Sequence, residues 1–364
     1  MSLASTNSKI GDHWATREPL EENGGFYVSP LLRPYIIETA FGKEQVDLHS
    51  NNEFYPVDIF IEKFLRNRPV RSTVSLCCGF GNVERYFATR LPSVGYCLGL
   101  DLSEGALAHA RQRAQGATAR FEYSSADLND YDWQPNCYDL VIANGALHHL
   151  KNLEGVLDGI RRTLKPGGLL YACEYVGPSY MDHSPRQLEL INALSFIMPP
   201  ELRARKPLNI ANDRLFRLAS KAWEISARDE RASWAPWQRS VSRVLKKVLR
   251  RQNKKFDFGV VYRSPKQYLL RTDPSECVRS GELIGLMRSY FPSVEVRPFG
   301  GGILQHALDQ NFYDHFDPAN QRHAELLQLL INTERTLMKA GEIGPENAFF
   351  FADTACSADV LPMA

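Results

Sequence analysis

Thr73-Val-Ser-Leu-Cys-Cys-Gly-Phe-Gly-Asn82 is an apolar run that breaks into two spaced glycines and then opens a helical pattern over residues 83–90. It reads as a strand, a tight turn and a helix start. Lacking Cβ atoms, Gly79 and Gly81 let the backbone approach a ligand closely, and the helix start beyond them presents unpaired N–H groups. A polar group should dock there, although two spaced glycines alone do not say which.

The rhythm continues downstream. Apolar, β-branched or aromatic runs at 74–78, 94–100, 120–123, 138–143 and 169–175 alternate with helical patterns such as 104–115 and 153–164. The runs are nearly continuous rather than polar at every second residue, as expected of parallel strands buried on both faces. The fold class is therefore α/β, a doubly wound, Rossmann-like sheet with five parallel strands read directly. Ligands of such sheets bind beyond the carboxyl ends of the strands, so the residues after each run carry the information.

After the second run stands Asp101, whose carboxylate can accept hydrogen bonds from both hydroxyls of a ribose lying on the glycine turn. The alternative is that Asp101 or Ser103 caps the next helix. A dinucleotide fingerprint needs a third glycine where Glu84 stands, and no Gly-Lys-Ser/Thr follows the turn, which argues against a pyrophosphate cofactor and a Walker nucleotide site. The third run ends in Ser125-Ala-Asp127-Leu128, the fourth in Asn144-Gly-Ala-Leu-His148-His149, and the fifth in Glu174-Tyr175.

In this order and spacing, Gly79, Gly81, Asp101, Asp127, Tyr138-Asp-Leu-Val-Ile142 and Leu164-Lys-Pro-Gly-Gly168 resemble the successive motifs of class I S-adenosylmethionine-dependent methyltransferases, over about residues 70–178. Asp273-Pro-Ser-Glu-Cys-Val-Arg-Ser280 and Phe299-Gly-Gly-Gly-Ile-Leu304, with Glu174-Tyr-Val-Gly-Pro178, are similar to a subgroup of bacterial small-molecule methyltransferases. The resemblance implies a seven-stranded sheet, with a sixth strand near 294–296 and an antiparallel seventh at 348–352, and a helical lid inserted after the fifth strand. The implied divisions are an arm and helices over 1–69, a core with the cofactor site over 70–177, the lid over 178–280 and the rest of the core over 281–364. It implies S-adenosyl-L-methionine as cofactor, with Gly79 and Gly81 facing its methionine part, Asp101 its ribose, Asp127 and Leu128 its adenine, and Cys78, Leu102 and Asn144 beside them. The chain departs from the family pattern at Ser75 and Cys77, where an acid and a glycine are usual, so Glu84, Asn82 or the N-terminal arm is expected to help hold the amino-acid end.

The expected reaction is methyl transfer to a small-molecule acceptor, most simply a hydroxyl oxygen, with N- or C-methylation and an inactive cofactor-binding subunit as alternatives. His148, His149 and Glu174 are the candidate catalytic residues, since imidazoles titrate near neutrality and all three follow strand ends. The histidines can instead cap a helix or line the pocket. His183 and His306 rank below them. No metal site is assigned, because two adjacent histidines rarely reach one ion.

The remaining features set bounds. Forty-three Lys and Arg against 42 Asp and Glu give a net charge of +1, so no global field draws the chain to nucleic acid. Seven cysteines without a C-x-x-C pair read as small core residues, and the polar first twelve residues carry no apolar leader, so the expected location is the cytoplasm. Trp14, Phe26 and Tyr27 are expected to anchor the arm, either by packing alone or by closing over a ligand. The basic amphipathic stretch 240–251, preceded by Trp234 and Trp237, is expected to be a lid helix or a weak contact for an anionic membrane or substrate. Gly300-Gly-Gly302 is a turn, with a phosphate cradle as its competing reading. The oligomeric state is not legible.

Overall fold

The computed structural model describes residues 26–27, 29–66, 68–203 and 262–354. The polar start, Trp14, Trp234, Trp237 and the basic stretch 240–251 lie outside the described residues. Strands β1 (Ser72–Leu76), β2 (Tyr96–Asp101), β3 (Arg120–Ser125), β4 (Tyr138–Asn144), β5 (Leu164–Tyr175), β6 (Glu295–Phe299) and β7 (Asn347–Asp353) form one seven-stranded sheet in the order β3-β2-β1-β4-β5-β7-β6. Strands β1 to β5 pair in parallel, and β7 runs antiparallel between β5 and β6. The order reverses between β1 and β4, the switch point at which such sheets open a ligand crevice.

Strand alternation sorts the core into two layers. In β4, Leu140 and Ile142 face one cluster and Val141 and Ala143 the other. The first layer is covered by α1 (Arg33–Phe41), α2 (Tyr55–Phe60), α3 (Asn82–Arg90) and, further along, α6 (Pro185–Ile197) and α9 (Gln321–Lys339), around the rings of Phe60, Phe87, Tyr171 and Phe351. The second is covered by α5 (Leu153–Thr163) and α7 (Leu283–Tyr290). The helix α5 buries Leu153, Val156, Leu157 and Ile160 at helical spacing, and its first turn is capped by Asn152, which accepts from the Gly155 N–H at 3.2 Å. The helix α4 (Glu104–Arg113) covers β2 and β3 through Leu107 and Ala110.

Local readings differ from the sequence in two places. Residues 164–168 are not a free turn but the start of β5, whose register against β4 slips between Tyr138 and Leu140, an irregularity that absorbs the left-handed Gly167. The helix read over 57–66 begins at Tyr55 with Pro56 in its first turn and widens to a π-turn over Ile61–Leu65.

The Gly300-Gly-Gly302 turn is no phosphate cradle, because the protein supplies its own anion. Glu334, fully buried on α9, accepts from the N–H groups of Gly301 (2.9 Å), Ile303 (2.9 Å) and Leu304 (2.8 Å) and from the Tyr35 hydroxyl (2.6 Å). A Cβ at Gly300 would stand 2.3 Å from the same carboxylate, so only glycine permits this approach.

A second buried acid lies under the opening glycine turn. Glu84 is 1% exposed, and its Oε2 accepts from the Ser75 hydroxyl at 3.2 Å. The acid expected on β1 at position 75 is thus delivered from α3 instead, with Ser75 as its partner. Burial lifts the Glu84 carboxyl to about pKa 7, opposed by its own backbone N–H and the Ser75 hydroxyl. Gly81 is left-handed (φ 74°), and a Cβ on it would sit 2.6 Å from the Tyr123 hydroxyl. At the other departure, Cys77 keeps a positive φ of 45°, so the chain retains the glycine-like turn with a side chain on it.

Two outcomes follow for stability. Glu334→Ala should strand several buried donors and lower the unfolding free energy by about 3 kcal/mol or more, read by urea denaturation. Between about pH 4.5 and 7 the folded state holds a proton on Glu84 that the unfolded chain releases, so stability should fall as pH rises through that window, by about 3 kcal/mol from this group. Denaturation of Glu84→Gln across the same range should show that slope reduced; an unchanged slope would contradict the assignment.

Candidate active site

The carboxyl ends of β1, β2 and β3 bring Cys78, Gly79, Gly81, Asp101, Leu102, Asp127 and Leu128 to one edge of the sheet. Asp101 is pinned from both sides: its Oδ2 accepts from the Gly79 N–H (2.9 Å) and its Oδ1 from the Ser103 N–H (2.8 Å). Each oxygen keeps acceptor capacity for a further donor. Burial raises its pKa, opposed by the N–H groups of Ser103, Gly79 and Leu102. The capping alternative falls to Ser103 alone, which accepts from the Ala106 N–H at 3.3 Å. A Cβ built on Gly79 meets nothing within 4 Å, so the turn fronts open space. A nucleoside with a cationic tail fits this edge, since the carboxylates offer acceptors to its hydroxyls and amine.

Asp127 caps the turn Leu128–Asp130 through Asn129, whose Oδ1 in turn accepts from the N–H groups of Lys151 (2.8 Å) and Asn152 (3.0 Å). This bridge ties the end of β3 to the loop after β4 and was not legible in the sequence. Asn144 stands exposed at the end of β4.

The β4 loop is organised by Glu174, 1% exposed at the end of β5. Its Oε1 accepts from the N–H groups of Ala146 and Leu147, both at 2.9 Å, and its Oε2 from the His148 N–H at 3.3 Å and from His148 Nδ1 at 2.7 Å. A carboxylate so occupied orients its neighbours; it is poorly placed to take a proton from an acceptor. Neither histidine caps a helix, since they form the short turn Leu147–His149 and Asn152 caps α5.

The acid opposite both rings is Glu276, from the Asp273–Ser280 segment whose role sequence reasoning left unassigned. The Val278 N–H donates to the His148 carbonyl at 3.0 Å, and Arg279 clamps the segment to Glu154 and Glu282. Glu276 lies 3.9 Å from His148 Nε2 and 3.9 Å from His149 Nε2, so the three groups face one another without closing a hydrogen bond. His149 Nδ1 lies 3.4 Å from the Ser275 hydroxyl, which itself donates to Asp273 at 2.5 Å. Burial disfavours the His148 imidazolium, but the Glu174 hydrogen bond and the charges of Glu174, Glu276 and Asp273 outweigh it and raise the pKa. His149 is pushed down to about 4 by burial and by the charge of His148.

A second group of titratable residues lies beyond β5. Glu346, just ahead of β7, receives His306, His183, Tyr175 and Gln187. Of the arm's expected anchors, Phe26 is buried, while Tyr27 is a third exposed and donates its hydroxyl to Asn347 beside this group.

Residues 74–168 match the family model described as a methyltransferase domain. Over 101 residues the chain is 37% identical to trans-aconitate 2-methyltransferase of Acidovorax sp. strain JS42, covering 28% of this chain and 36% of that protein. It is 26% identical over 130 residues to 2-phytyl-1,4-naphtoquinone methyltransferase of Nostoc punctiforme, covering 35% and 56%. It is 25% identical over 116 residues to phosphoethanolamine N-methyltransferase 1 of Arabidopsis thaliana, covering 32% and 23%. The chain therefore spans between about a quarter and just over half of these relatives' lengths. The solved [4+2]-cyclase SpnF aligns with 84% of the chain and 81% of its own at 15% identity and a TM-score of 0.39, too low to bear on function. The sheet order, the glycine turn with its paired acids and the matching family model together make residues 74–168 a class I S-adenosylmethionine-dependent methyltransferase domain.

Proposed function

We propose that the whole chain transfers a methyl group to a small-molecule hydroxyl, with His148 as the general base. The observation that carries this reading is the His148–Glu174 bond at 2.7 Å, which fixes the ring through Nδ1 and turns Nε2 toward Glu276 at the mouth of the sheet. When bound, the cofactor supplies an electrophilic methyl on a sulfonium, open to in-line displacement. Positioning contributes most to such a transfer, because it needs a nucleophile about 3 Å from the methyl and no competing water.

Each residue then has a defined task. Asp101 takes the ribose hydroxyls, Asp127 and Leu128 border the adenine, and the Gly79–Gly81 turn, backed by Glu84, receives the amino-acid end. The acceptor lies between His148, His149 and Glu276, its hydroxyl proton passing to His148 Nε2. Glu174 is a positioning residue that holds the ring and stabilises the imidazolium formed. His149, held neutral, lines the pocket. The relatives' names cover naphthoquinone, trans-aconitate and phosphoethanolamine, so the acceptor panel has to include hydroxyl, carboxylate, amine and carbon nucleophiles.

Calorimetry should detect S-adenosylmethionine binding to the wild type, and Asp101→Ala should weaken it by roughly 10- to 150-fold, equivalent to ~1.5 to 3 kcal/mol for a hydrogen bond to a charged group. No heat of binding to the wild type would sink the assignment. His148→Ala should leave cofactor binding intact and lower kcat by ~10² to 10⁴-fold. Because Glu174 raises the His148 pKa, the acid limb of the kcat profile should lie above that of an ordinary histidine and move to lower pH in Glu174→Gln. A limb that stays put in that variant would remove His148 as the base.

A further inference from the structure

His183, His306 and Glu346 are brought together from three separate stretches: the loop after the Ser179–Met181 turn, the short helix α8 (Leu304–Ala307) and the residue ahead of β7. Their side chains are at most 4% exposed. His183 Nε2 lies 3.2 Å from Glu346 Oε1, His306 Nε2 lies 2.7 Å from Glu346 Oε2, and the two imidazole rings are 4.4 Å apart. One nitrogen of each ring and a carboxylate oxygen thus lie together, one ligand atom per residue, within 4.8 Å of one another.

We propose that these three residues bind one divalent first-row transition metal ion. A cation about 2.1 Å from each donor requires ligand atoms roughly 3 to 3.5 Å apart, and from the single oxygen Glu346 Oε2 the His183 Nε2 lies 3.4 Å and the His306 Nε2 2.7 Å away, so a small outward shift of His306 seats the ion. Two of the three ligands, Glu346 and His306, are held from behind, while His183 Nδ1 is buried without a hydrogen-bond partner among the described residues. The Gln187 amide donates to Glu346 Oε1 at 2.5 Å while its carboxamide also reaches the Gly302 carbonyl at 2.7 Å, and the Tyr175 hydroxyl donates to Oε2 at 3.0 Å. The Tyr262 hydroxyl bonds His306 Nδ1 at 3.0 Å, which turns Nε2 inward. Just before His183, Tyr180 and Met181 both hold left-handed backbone (φ 55° and 51°), a conformation that persists only where neighbours enforce it.

Imidazole and carboxylate donors suit zinc, iron, manganese or cobalt rather than thiolate-seeking copper(I). Three protein ligands leave coordination positions for solvent or for an acceptor oxygen. The ion would also fasten three chain segments to one another beside Tyr175, the neighbour of Glu174. The site does not depend on the methyl-transfer reading.

The test uses full-length protein without a histidine tag, stripped with chelator and titrated with Zn²⁺ and with Mn²⁺ by calorimetry, with bound metal measured by elemental analysis. One equivalent of either metal should bind and raise the melting temperature, and His306→Gln or Glu346→Gln should weaken binding at least 10-fold. His149→Ala, which removes a ligand from the other His, His, Glu group, should leave the stoichiometry unchanged. If His306→Gln melts early without metal, His183→Gln serves in its place. Absence of binding to the wild type, or binding that survives the His306 and His183 variants and disappears in His149→Ala, overturns the proposal.

Discussion

Polar backbone at the end of a sheet has to be satisfied, and in this protein the interior carboxylates do it. Glu174 accepts from three successive peptide N–H groups and from His148, so the loop after β4 has one shape and the imidazole one direction. Stranding such donors would cost roughly 1–3 kcal/mol for each group. Glu334 repeats the device at the Gly300–Gly302 turn, and Asp101 does so between the glycine turn and α4. Anions that look from the sequence like ligands or bases are in good part internal staples, and the groups facing open space are what they hold in place.

The sheet was legible because parallel strands buried on both faces leave continuous apolar runs, and each expected run from 74 to 175 is a strand. The acids at the strand ends were equally plain, since Asp101 and Asp127 stand where the topology puts the crevice. The role of Glu174 was not, because a side chain's partners lie far away in sequence: its oxygens serve residues 146–148. Glu276 was hidden for the same reason. It belongs to a segment more than a hundred residues beyond the histidines, brought there by the Val278–His148 backbone bond and the Arg279 clamp. Gly300–Gly302 is the turn expected from the sequence, but only the position of α9 shows why its donors are closed to a phosphate: Glu334 already uses them.

The first strand shows how a motif can change letters and keep its physics. A serine stands where the family pattern has a strand acid, yet a carboxylate, Glu84, is bonded to it from one turn into the next helix. A cysteine replaces a glycine, yet the left-handed turn remains. The cost moves elsewhere: a buried carboxyl that resists ionisation and a side chain in a conformation that side chains disfavour. In the proposed arrangement both positions lie beside the part of the crevice assigned to the amino-acid end of the cofactor, while Asp101 and Asp127, assigned to the ribose and adenine, are untouched.

Among the described residues the last strand, β7, lies between two earlier ones. Until β7 arrives, β6 has no partner in the sheet and β5 carries an open edge. Glu346 arrives with it, one residue ahead of β7, and with it the carboxylate on which His183 and His306 converge. During synthesis the glycine turn and its acids can be assembled early from neighbouring segments, whereas the outer wall must await a pairing between segments about half the chain apart, Leu169 to Tyr175 with Asn347 to Asp353. Such long-range closure is the slow part of folding. A ribosome-bound chain would therefore acquire its glycine turn and strand-end acids well before the far side of the sheet exists.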